Sequence, residues 1–198
     1  KTAVAGLATS YPHVEDAWLI EGAFEFSPQL ESPVSSGSKT ASGFFARTPD
    51  RKQVAQFRLD GFTFSRLAPY TSWPEVADEA FRLWDLYCEV AKPSALYRVA
   101  VRYVNNIRLP HIPMELNDIL ASAPQVPDEL PQSIDSFLTR VVVPMEEPNT
   151  HASIVQAYNL APAATTAMLL LDIDVFRVEE LALSVHTLRP VFEQLRLY

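Results

Sequence analysis

Gln53-Val54-Ala55-Gln56-Phe57-Arg58-Leu59-Asp60-Gly61-Phe62-Thr63-Phe64-Ser65-Arg66-Leu67 decides how this chain folds. Apolar residues alternate with polar ones on either side of Asp60-Gly61. A period of two marks a strand with one buried face. Asp-Gly between two such runs predicts a hairpin with a type I′ turn, because that turn needs φ > 0 at both central residues. Gln53–Leu59 and Phe62–Leu67 are therefore expected to pair antiparallel. Thr40–Arg47 reads as a third short strand, separated from them by Thr48-Pro49-Asp50.

Downstream, Ser72-Trp73-Pro74-Glu75 fits a capping box, with Ser72 at the N-cap and Glu75 reaching back to it. Trp73, Val76, Ala77, Ala80, Trp84, Tyr87, Cys88 and Ala91 follow at helical spacing and form one apolar stripe. Lys92-Pro93 ends that helix. Upstream, His13–Phe26 reads as a long strand. Pro28–Lys39, rich in proline, serine and glycine, reads as a loop. The first ten residues are weakly patterned.

The second half repeats the order. Ala95–Leu109 is a long strand, and Leu116–Ser122 a short helix. Ser136–Pro144, His151–Leu160 and Ala167–Phe176 are three more strands. Thr187 opens a last helix with an apolar stripe of Leu188, Val191, Phe192, Leu195 and Tyr198. That pattern has not stopped at Tyr198, so the helix is expected to continue beyond it. Consecutive strands without crossover helices imply an antiparallel sheet with helices on one face, an α+β class. One domain of two similar halves, 1–93 and 94–198, is expected, with both helices roofing a single layer. The order resembles the TATA-binding-protein-like and helix-grip architectures, an analogy of fold that carries no function.

Two blocks are more specific. One is Asp60-Gly61-Phe62-Thr63-Phe64-Ser65-Arg66-Leu67-Ala68-Pro69-Tyr70-Thr71-Ser72-Trp73, the other Tyr97-Arg98-Val99-Ala100-Val101-Arg102-Tyr103-Val104-Asn105-Asn106-Ile107. They resemble a sporadically distributed prokaryotic family of uncharacterised proteins with a GF-x-x-SRL-x-PY-x-x-W block and an R-x-x-x-RY-x-N strand. Tyr11-Pro12 and Leu171-Asp172-Ile173-Asp174 fit the same pattern. The resemblance implies a further strand before Lys1 and a longer last helix, so the chain looks trimmed at both ends. It implies no activity and no catalytic residues. The family's patchy distribution is like that of bacterial defence and toxin–antitoxin genes.

Composition narrows the class. The 198 residues are 48% hydrophobic and 20% charged, a globular balance. The net charge of −8 lacks the basic excess of a non-specific nucleic-acid binder, so nucleic acid is not an expected partner. The single cysteine, Cys88, excludes an intrachain disulfide and suits a reducing compartment, so cytoplasm is expected. No apolar run reaches membrane-spanning length.

The strand Ala95–Leu109 has unlike faces. Val99, Val101, Tyr103 and Ile107 point one way, and Arg98, Arg102, Asn106 and Arg108 the other. The arginine face suits an anion gripped bidentately, or a solvated surface with cross-strand ion pairs. Asp172 and Asp174 share a strand face. They could hold a metal or partner Arg102 or Arg140, and nothing nearby supplies the further ligands a cation needs. Arg66 suits bracing of the Pro69-Tyr70 turn and helix entry, or binding; Tyr70 and Trp73 are expected under the first helix.

Other signatures are missing. Ser36-Gly37-Ser38-Lys39-Thr40 lacks the earlier glycine of a phosphate loop, and no histidine pair has metal-ligand spacing. No Gly-x-Ser-x-Gly elbow occurs, and five glycines leave no glycine-rich cofactor loop, so no cofactor is expected. Cys88 on an apolar stripe is expected to be inert. The leading expectation is a non-enzymatic protein-interaction subunit, an antitoxin, immunity or defence-system component that meets another protein or itself. The alternatives are a binding domain for a small anionic ligand such as a nucleotide, with Arg98, Arg102 and Arg108 reading the anion, and an enzyme of unknown class.

Overall fold

The structure is a computed structural model and describes residues 7–25, 34–110, 116–159 and 166–198. Its elements run β1 His13–Glu25, β2 Val34–Arg47, β3 Gln53–Arg58, β4 Phe62–Arg66, α1 Trp73–Ala91, β5 Leu96–Pro110, β6 Ser136–Pro144, β7 Thr150–Asn159, β8 Thr166–Leu181 and α2 Val185–Leu195. Every strand pairing among the described residues is antiparallel. The α+β class and the antiparallel pairing follow the alternating patterns. The strands divide into two four-stranded sheets rather than one layer. Each sheet belongs to one of two compact units, Lys1–Ser94 and Ala95–Tyr198.

The first unit is a meander of order β1-β2-β3-β4. Its core is aromatic. Phe57 stacks on Phe44 at 5.0 Å and meets Phe62 at 5.3 Å, while Trp84 and Tyr87 of α1 close over Phe62 at 6.3 and 5.9 Å. Burying a side chain like Phe57 contributes roughly 1.5–3 kcal/mol. The Tyr87 hydroxyl, carried to the same place, donates to the Arg58 carbonyl at 3.1 Å.

Several local expectations are corrected here. The hairpin at Asp60-Gly61 forms, but its turn is not type I′. The Arg58 N–H donates to the Gly61 carbonyl at 2.9 Å, which centres the turn on Leu59-Asp60, and neither Asp60 nor Gly61 has positive φ. Ser72 does cap α1 with extended backbone, yet its side chain makes no capping hydrogen bond; Lys92, at φ 47°, ends the helix by donating to the Cys88 carbonyl. Phe81 and Leu83 join Ala77, Trp84 and Tyr87 as the buried residues of α1, and Ala91 is exposed. Tyr70 is exposed rather than tucked beneath the helix. The expected loop Pro28–Lys39 is a strand from Val34 onward, because β1 offers a continuous ladder out to Glu25↔Val34 and local composition yields to it. Pro28–Pro33 and Phe26 lie outside the described residues.

The second unit has the order β5-β8-β7-β6. Both units share the sequence long strand, three strands, helix, but they are wired differently. β1 pairs with the strand that follows it, whereas β5 pairs with the last strand of its unit. β8 runs to Leu181, beyond the expected Phe176, because Val178 and Leu181 find Arg98 and Leu96 as ladder partners. Ser184, not Thr187, caps α2, and its hydroxyl accepts the Thr187 N–H at 3.3 Å. Arg177 ties this helix to the sheet by donating to Gln194 at 2.8 Å and to Thr150 at 3.0 Å. The expected helix Leu116–Ser122 is a single 3₁₀ turn, Leu116–Asp118, followed by Leu120 and Ala123 packed on Leu169.

Gly43 is where the first unit has no spare room. Its φ is +151°, and a Cβ there would lie 2.0 Å from the Phe57 carbonyl oxygen, a backbone atom that cannot step aside. Gly43→Ala is expected to lower stability by about 2 kcal/mol or more, read from the midpoint of urea denaturation.

Candidate functional site

β5 positions the arginines as its alternation requires. Val99 and Val101 are buried, while Arg98, Arg102, Asn106 and Arg108 are exposed on the opposite face. The register sets Arg102 opposite Asp174 and Val104 opposite Asp172. Diagonal neighbours on one face lie within reach of long side chains, and Arg102 leans along the strand to reach Asp172, while Arg98, opposite Val178, reaches farther. Arg102 donates from Nε to one oxygen of Asp172 at 2.7 Å and from Nη2 to the other at 2.5 Å, a bidentate fork. Arg98 lies over the Phe176 ring at 4.7 Å and donates to Asp174 at 2.7 Å.

Asp172 is 8% exposed, so its charge depends on that fork. The Arg102 hydrogen bonds hold its carboxyl below the usual carboxylate range, against the opposing pull of burial, and Asp172 in return pushes the guanidinium of Arg102 up. Arg140, the other expected partner, donates instead to Ser153 at 3.1 Å. The two aspartates are therefore occupied as ion-pair acceptors. Among the described residues no group of three or more His, Cys, Asp or Glu side chains is placed to hold a metal.

The remaining candidates are less closely joined. Asn106 and Arg108 share the Arg102 face, opposite Leu170 and Met168. An open groove of about 450 Å³ crosses this end of the sheet, lined by Asn106, Leu138, Ala157, Asn159, Met168 and Leu170 among others. It is mostly apolar with amide groups at its rim. Arg66 belongs to the first unit, where it sits opposite Gln53 in β3. Cys88 is half-buried, and burial, then Asp85, push its thiol up, which suits an unreactive role. Among the described residues no helix is long and apolar enough to cross a membrane.

One polar cluster had no signal in the sequence beyond Tyr11-Pro12. Tyr11 is fully buried, with its hydroxyl 3.0 Å from Gln53 Oε1 and 2.7 Å from Glu79 Oε1. Arg82 forks onto the same Glu79 at 2.7 and 2.8 Å. Burial acts to raise the Glu79 pKa, but hydrogen bonds from Arg82 and Tyr11 prevail and hold it low. Burial, then the bond to Glu79, pushes the Tyr11 hydroxyl well above its ordinary value, so Tyr11 stays neutral and donates. A tyrosine 68 residues from its acceptor cannot be matched to it by local pattern.

Compared with models of known protein families, with curated proteins and with solved structures, the chain matches none.

The Arg102–Asp172 fork predicts an acid limb. A carboxyl whose folded pKa lies below its unfolded value of about 3.9 contributes stability above that value and loses it as pH falls through the folded one. Arg102→Leu is expected to cost about 1 kcal/mol at neutral pH, a figure discounted for the exposed guanidinium, and to flatten the loss of stability from about pH 4 downward. Urea titrations across pH read both. Tyr11→Phe is expected to cost about 1 kcal/mol by the same measurement and to raise the Glu79 pKa, followed by NMR.

Proposed function

We propose that this chain is a non-enzymatic protein-interaction subunit, of the kind that serves as an antitoxin, immunity or defence-system component in the cytoplasm. The observation that carries this reading is the internal neutralisation of the arginine face. Arg98 and Arg102 are bound to Asp174 and Asp172, so the positive charge of each is balanced within the sheet. The same face carries exposed aliphatic side chains at Val104, Leu138, Val142, Met168 and Val178. Exposed apolar area interspersed with paired charges suits a protein surface better than a phosphate. The net charge of −8 favours a basic partner, because opposite charge speeds encounter. The resemblance to the sporadically distributed prokaryotic family supports the same reading.

A second reading, a binding domain for a small anionic ligand such as a nucleotide, is favoured by the groove beside Asn106 and by exposed Arg108 on the same face. The two readings separate in one experiment. The native protein, tagged and isolated from its own cells at low salt, is expected to carry a partner protein in fixed stoichiometry. Val104→Asp or Val178→Asp, both at exposed positions, is expected to release that partner at least tenfold more readily. Recovery of the chain alone, together with a rise in melting temperature on adding nucleotides, would replace the interaction reading by the ligand one.

A further inference from the structure

We infer that β6 is a self-pairing edge, through which two copies of this chain join their second-unit sheets into one continuous eight-stranded sheet. β6 ends the order β5-β8-β7-β6, so one side of its backbone has no strand beside it among the described residues. The phase of the ladder shows which groups face outward. The Met145 N–H donates to the Thr150 carbonyl at 2.9 Å, making Met145–Thr150 a hydrogen-bonded pair. Such pairs alternate along antiparallel strands. Val143, Val141 and Thr139 therefore direct their N–H and C=O toward β7, and Pro144, Val142, Arg140 and Leu138 direct theirs outward. Proline, which has no N–H to offer, stands at an outward position and ends the free row.

The side chains fit an identical strand. Leu138, Val141, Val142 and Val143 are all exposed, Leu138 by 72% and Val141 by 54%. Within β6 the only charged residue is Arg140, whose guanidinium is turned back onto Ser153. A two-fold axis at Val141 sets Val141 against its own copy, Val142 against Arg140, Val143 against Thr139 and Leu138 against Pro144. Moving the axis one residue, onto Arg140, would oppose two arginines, which is unfavourable. Moving it to Thr139 would set Val143 against Asp135. With the axis at Val141, the outward N–H groups of Arg140 and Val142 meet the carbonyls of Val142 and Arg140, and that of Leu138 meets Pro144. The contact is isologous and closes at two copies.

This inference concerns the sheet edge and does not rest on the face assigned to a partner protein, so either can fail alone. Analytical ultracentrifugation of the full chain is expected to show a reversible dimer. Val141→Lys, which places two like charges on the axis, is expected to weaken it at least tenfold. Val141→Glu is expected to do the same, and an equimolar mixture of the two variants is expected to restore a dimer. Restoration also shows that both variants are folded. A wild-type chain that stays monomeric at every concentration overturns the proposal. So does a dimer indifferent to Val141→Lys, or a mixture that remains monomeric.

Discussion

The pairing of β5 with β8 sets the rest of the second unit. It brings Val104 beside Asp172 across the whole of β6 and β7 and runs almost the full length of both strands. Once it forms, Val99, Val101 and Val175 are buried together, and the arginines and aspartates gather on the other face. A slip of one residue would exchange the two faces, driving Arg102 into the apolar layer and Val101 into water. Asp172 makes the slip worse, since a nearly buried carboxylate deprived of its guanidinium must be protonated or bear the cost of an unpaired charge. Apolar alternation and the charge ladder thus specify the same register independently. The same pairing decides what is left over: with β5 and β7 on either side of β8, β6 has a neighbouring strand on one side only among the described residues.

Local pattern and long-range wiring differ in how far the sequence reveals them. Ser136–Pro144 is bounded by signals within a few residues, and its observed ends match its expected ones. The two faces of β5 follow from simple alternation. Sheet order does not, because it depends on which strand a segment meets rather than on its own composition. His13–Glu25 and Leu96–Pro110 both read as long opening strands, yet one pairs forward to its neighbour and the other waits for the last strand of its unit. Val34–Lys39 shows the converse: its serines and glycine point to a loop, and a long partner strand overrides them. Turn chemistry failed more subtly at Asp60-Gly61. The aromatic packing of Phe57 on Phe62 fixes the hairpin, and the turn adopts whatever geometry that spacing allows.

The candidate site was legible as a set of residues and not as a set of bonds. Arg98 and Arg102 lie four apart on a strand, and Asp172 and Asp174 two apart on another, so each pair shares a face by spacing alone. Whether arginines so placed await a ligand or satisfy carboxylates depends on the neighbouring strand, which is non-local information. The result is a ladder with little net charge, whose bidentate carboxylate, Asp172, is also its most buried group. Tyr11, Glu79 and Arg82 make the same point in the first unit: a buried hydroxyl reaches a helix far away in sequence, and the group it meets is already anchored by an arginine one turn on. In both units the arginine fixes a carboxylate in place, which is structural work.

An edge strand presents unpaired backbone groups, and proteins blunt that hazard with charge, proline, short length or cover. The edges in this chain are treated differently. β4 is only five residues long, and β5 carries Arg98, Arg102 and Arg108 along its length. β6 is nine residues with three consecutive valines and one charge, and that charge is engaged by Ser153. Pro144 limits the row at one end without interrupting it. A strand left in this state, with valines that prefer pleated surroundings, gains most from another strand of matching length and little charge. Its own copy meets that description, because an antiparallel two-fold returns the same apolar run in reverse and keeps the arginines from facing each other.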